Sequence, residues 1–114
     1  MNETELPTAS QRRQWLEEAS PHLKEAGRAY LEAGRLSEAL ECFAAVKYSE
    51  GLALVEGQAL ESGDFFAWQM SLNHQGRKPK AEELLRIKEA AQTAGKSAFA
   101  QTAQRLWEQI EEKP

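Results

Sequence analysis

Four glycines frame this chain. Gly34, Gly63, Gly76 and Gly95 each follow a run of apolar residues spaced three or four apart. Glycine enters the left-handed conformation that closes a helix without the steric cost of a Cβ. Each is followed within three residues by a helix-opening signal: Ser37, Asp64, Lys78-Pro79 and Ser97. With Thr8 or Ser10, Ser20-Pro21 and Ser49 as further openings, this punctuation predicts about six to seven helices. They run to about Ala19, from Pro21 to Ala33, over 37–47, from Ser49 to Ser62, over 65–74, from Lys78-Pro79 to Ala94, and from Ser97 to Glu112. Composition removes the alternative. Ala, Leu and Glu supply 18, 13 and 17 of 114 residues, while Val, Ile and Thr together supply 8. Strands draw on β-branched side chains, so an all-α fold is expected.

Apolar residues at helical spacing give each segment an inward stripe. Leu23, Ala26, Gly27, Tyr30 and Leu31 form one, and Leu36, Ala39, Leu40, Phe43 and Val46 the next. Leu52, Val55, Ala59 and Leu60 mark the fourth helix, although Gly51 and Gly57 within it each cost about 1 kcal/mol against alanine. Phe65, Phe66, Trp68, Met70 and Leu72 follow, then Leu84, Ile87, Ala91 and Ala94, then Phe99, Ala103, Leu106 and Ile110. Links of two to five residues make neighbouring helices antiparallel. Residues 1–8 read as a flexible N-terminal tail and 9–114 as a single domain.

The formal net charge is −4 with an isoelectric point near 5.3. A chain that binds nucleic acid generally carries an excess of cations, so nucleic acid is an unlikely partner. The single cysteine, Cys42, excludes an internal disulfide and suits a reducing compartment. The acidic N-terminus shows no secretory pattern, and no apolar run nears the ~20 residues that span a bilayer. A soluble, cytoplasmic protein without membrane contact is expected.

The stretch from Leu23 to Val46 reads Leu-x-x-x-Gly-x-x-Tyr-x-x-x-Gly-x-Leu-x-x-Ala-x-x-x-Phe-x-x-Val. Small Gly27 and Ala39 permit close approach of two helices, Tyr30 fills the wedge between them, Gly34 makes the turn, and Phe43 packs toward the next hairpin. This pattern resembles one unit of the tetratricopeptide repeat family, over about residues 20–53. The rest is degenerate. Gly63 lies 29 residues after Gly34, and Gly95 lies 32 after Gly63, against a family period of about 34. Ala59 stands where the tyrosine is expected, and Ala67, Ala91 and Ala100 fall near the small positions. The resemblance implies right-handed antiparallel hairpins in an α-solenoid and a role in protein–protein interaction. In that family a peptide lies in a groove lined by the first helix of each hairpin, which places Lys24, Arg28, Leu31 and Glu32 on the candidate groove face. The family's carboxylate-binding version draws asparagines and further cations from the next repeat. Here that helix offers Glu50, Ala53, Leu54 and Gly57, so this clamp is not supported.

Other chemistry is sparse. No phosphate-binding loop appears. His22, His74 and Cys42 lack metal-ligand spacing, so no metal or cofactor is expected. Cys42 reads as a small buried hydrophobe rather than a nucleophile. Glu17-Glu18, Glu82-Glu83 and Glu111-Glu112 are adjacent on helices and point apart, so they are solvated faces and not acid–base pairs. Enzyme activity is not expected. Phe65, Phe66 and Trp68 read first as core. The rival reading makes Phe65 and Trp68 aromatic anchors for a partner. Arg77, Lys78, Lys80, Arg86 and Lys88, offset by Glu82 and Glu83, form a basic stretch over 77–88. Trp107 and Ile110 leave an apolar edge near the C-terminus, where a solenoid needs a polar cap. The expected function is a scaffold or adaptor that takes a peptide or helix of another protein. The alternatives are an oligomerising structural module, which makes a homo-oligomer possible, and a regulator that touches nucleic acid through 77–88.

Overall fold

The computed structural model describes residues 6–112 as seven α-helices, with no strand among them. They are α1 (Ala9–Glu18), α2 (His22–Glu32), α3 (Leu36–Ala45), α4 (Ser49–Ser62), α5 (Phe65–Gln75), α6 (Ala81–Thr93) and α7 (Ser97–Glu112). The chain divides into two compact units, Met1–Val55 and Glu56–Pro114, and the division falls inside α4. Most of the expected N-terminal tail lies outside the described residues. Its last residue, Thr8, caps α1: its hydroxyl accepts the Gln11 N–H at 3.1 Å, and the Gln11 side chain accepts the Thr8 N–H at 2.9 Å.

In the first unit α2 packs along α3, and α1 lies against α2. Ser20 Oγ accepts the His22 N–H at 3.2 Å and opens α2. Gly34, at φ 74°, closes it, and the Arg35 N–H donates to the Tyr30 carbonyl at 2.9 Å. Leu23, Ala26, Gly27, Tyr30 and Leu31 are all buried, as their spacing predicts. The third helix departs slightly from expectation. It starts at Leu36 and not at Ser37, with Arg35 in the capping position and its guanidinium paired to Glu38. It ends without a glycine, because Lys47 takes the left-handed position at φ 52°.

Phe43 is the centre of this unit. It is fully buried between α2 and α4. A Cβ on Gly27 would lie 2.7 and 2.8 Å from its Cδ1 and Cζ, and one on Gly51 within 2.5 to 2.7 Å of its ring. Gly51, a liability by helix propensity alone, is the residue that lets α4 come this close. Tyr30, 2 % exposed, turns its hydroxyl toward Arg12 of α1 at 3.4 Å.

In the second unit α6 packs along α7, and α5 meets α7 through Phe65 and Phe99, whose ring centres are 6.4 Å apart. Gly63, at φ 74°, sits against the backbone of α6: a Cβ there would be 2.5 Å from Ala91 Cα and 2.7 Å from the Ala90 carbonyl carbon. Asp64 then caps α5 by accepting the Ala67 N–H at 3.0 Å. The sixth helix starts at Ala81, later than Lys78-Pro79 suggests. Glu83 reaches back to accept the Lys80 N–H at 3.0 Å, which fixes the start one residue beyond.

Candidate partner-binding face

Lys24 and Arg28 lie one turn apart on α2, and both are exposed. The turn after α3 brings Tyr48 against them. Lys24 Nζ stands 4.7 Å from the centre of the Tyr48 ring and Arg28 Cζ 5.6 Å from it. Arg28 also donates to the Tyr48 hydroxyl at 2.7 Å, and that hydroxyl donates to Glu50 at 3.2 Å. The ring is held from beneath by an edge contact with Phe43, at 5.6 Å between centres. Two cations thus share one aromatic platform anchored in the core. Cation–π contact of this kind is worth about 0.5–1 kcal/mol at an exposed site. It orders two long side chains, lowering the entropy that a partner's carboxylate would otherwise have to remove.

Of the other expected groove residues, Glu32 is exposed and Leu31 is not. Leu31 is 8 % exposed and belongs to the packing face of α2. The aromatic cluster sorts in the same way. Phe65 is 8 % exposed and Trp68 fully buried, so neither is available as a partner anchor, whereas Phe66 is 57 % exposed. One helical stripe holds residues 65, 68 and 72, and residue 66 falls outside it. Ala67 and Ser71 fill the buried places expected of Phe66 and Met70. Ile110, expected inward, is 37 % exposed on α7. The remaining repeat-packing residues, Gly27, Tyr30, Ala39 and Phe43, are buried, and Gly34 makes its turn.

Sequence reasoning did not single out Tyr48. It lies outside every apolar stripe, and only the turn after α3 brings it to α2. The one available signal was an aromatic residue directly before a capping serine.

The basic stretch does not form one patch. Arg77 is spent on Glu56 and Glu83: it donates to Glu56 at 2.6 Å and to both oxygens of Glu83 at 2.9 Å. Gln75 adds a bond to Glu56 at 2.9 Å. Hydrogen bonding from Arg77 holds the Glu83 carboxyl below its usual range. Arg86 and Lys88, two residues apart on α6, point to opposite sides.

Burial, helped by the neighbouring charge of Glu41, pushes the Cys42 thiol up to about 11. A neutral, covered thiol is a poor nucleophile. Among the described residues, no three His, Cys, Asp or Glu side chains gather where they could hold a metal, and no helix is long and apolar enough to cross a membrane. No family model, curated protein or solved structure matches this chain.

Proposed function

We propose that this chain is a protein-interaction module, a scaffold or adaptor, that receives a peptide or helix of a partner on the exposed face of α2. The observation that carries the reading is the ordered pair Lys24 and Arg28 around Tyr48. Two fixed cations at a solvent-facing turn suit acidic side chains on the partner. The helical hairpins α2/α3 and α6/α7 and the repeat pattern from Leu23 to Val46 support a tetratricopeptide-like solenoid as the scaffold of this face. A cytoplasmic setting fits Cys42, which is buried and unpaired with another cysteine.

Fluorescence anisotropy with labelled acidic peptides tests this reading. The double variant Lys24→Glu, Arg28→Glu should bind at least about tenfold more weakly than the native chain, and the difference should shrink at high salt. Equal affinity for native chain and variant would overturn the assignment.

The exposed ring of Phe66 favours a second reading, self-association through α5. It has a separate test, argued below. A nucleic-acid contact through 77–88 has less support, since Arg77 is committed to two carboxylates.

A further inference from the structure

We propose that the groove along α6 and α7 is a second binding site, and that its ligand is an extended acidic peptide segment. The groove encloses about 610 Å³. Lys88 and Gln92 line it from α6, and Gln101, Gln104, Arg105 and Glu108 line it from α7.

Charge comes first. Among the described residues neither Lys88 nor Arg105 has an ion-pair partner; the bridges present use Arg35 and Arg77. Lys88 is half-buried, with its long stem able to lie against the protein while its ammonium stays free to meet a counter-charge. Glu108 is the one carboxylate in the lining, and Gln104 Nε2 already occupies one of its oxygens at 2.9 Å. The groove therefore presents two unmatched cations against one carboxylate in use.

The amides decide between a bare anion and a chain. Gln92 and Gln101 make no side-chain hydrogen bond among the described residues, and each offers both a donor and an acceptor. Gln104 turns its donor to Glu108 and leaves Oε1 covered and without a donor. A simple anion supplies acceptors only. A peptide supplies carboxylates for Lys88 and Arg105 together with backbone N–H and C=O groups for the amides.

Shape agrees. The lining runs along α7 from Ser97 to Glu108, about 17 Å at the helical rise. An extended chain covers that length with about five residues. Ala100 on the groove is buried and small, which lets a main chain lie close. The charged and amide side chains along the groove pair better with a main chain and its carboxylates than with the apolar face of another helix.

The inference does not depend on the α2 face, and one experiment separates the two. Isotope-labelled full-length chain is titrated with an acetylated, amidated pentapeptide of alternating glutamate and glycine while amide resonances are followed. Shifts should concentrate at Gln92, Gln101, Gln104 and Arg105. The double variant Lys88→Gln, Arg105→Gln should bind about tenfold more weakly, and Lys24→Gln, Arg28→Gln should leave the response at these four residues unchanged. Should the first variant not fold, the native chain decides: a glutamine–glycine pentapeptide must bind about tenfold more weakly than the glutamate one. The proposal is overturned by an absence of shifts at millimolar peptide, by shifts confined to α2, or by free glutamate producing the same response as the peptide.

Discussion

Phe43 shows how little latitude single residues have in this protein. Its ring occupies the space that a Cβ at Gly27 or Gly51 would need, and the side chain is fully buried. A methyl at Gly51 should cost about 1–3 kcal/mol through overpacking, in spite of alanine's better helix propensity. Gly57, in the same helix, has open space where its Cβ would be. There the propensity term acts alone, and Gly57→Ala should stabilise by about 0.5–1 kcal/mol. Urea denaturation of the two variants checks the opposite signs. Gly27→Leu should be worse than either, at about 2–4 kcal/mol. Cys42 carries a different prediction. Its folded pKa of about 11 lies above the ordinary 9.0, so folding favours the neutral thiol. That contribution is complete below pH 9 and is lost as pH rises from about 9 to about 11. Denaturation midpoints across this range should fall more in the native chain than in Cys42→Ala.

The helices were largely legible because their ends are written in residues that act locally. All four stop glycines adopt positive φ, since a missing Cβ is a property of the residue itself. The ends near Ala19 and Lys47 were expected, but the left-handed backbone at these two residues was not legible. Both residues are left-handed at φ 48° and 52°, and the strain is offset by backbone bonds such as Tyr48 N–H to the Phe43 carbonyl at 2.9 Å, which no local pattern announces. Lys47→Gly should relieve it and raise stability by up to about 1 kcal/mol, read from a thermal melt. The late start of α6 has a similar origin, because Glu83 binds both the Lys80 N–H and Arg77. With the folded pKa of Glu83 depressed, its contribution is present above the ordinary carboxylate range and disappears as pH falls through the folded value. Arg77→Ala should leave Glu56 and Glu83 uncompensated, costing about 1–2 kcal/mol at neutral pH and less in acid, measured by denaturation at both.

At the scale of the molecule, the candidate face was only half visible in the sequence. Lys24 and Arg28 follow from their place in the repeat pattern. Tyr48, which fixes them, depends on a turn that brings together residues 20 positions apart. Phe66, rather than Phe65 or Trp68, is the ring left to solvent, because residues 65 and 68 share one stripe, residue 66 falls outside it, and the phase of α5 is set by its packing. If that ring is only an isolated exposed side chain, light scattering should give one mass from micromolar to millimolar chain. A mass that doubles with concentration, and reverts in Phe66→Ser, would support the self-association reading instead. The two glycines around Phe43 also give the first unit an internal clock. A ring packed this closely against both helices at Gly27 and Gly51 can rotate about its own axis only when α2 and α4 briefly separate. Its two ortho protons should therefore resonate separately at low temperature and merge on warming, and the rate at which they exchange would time that opening.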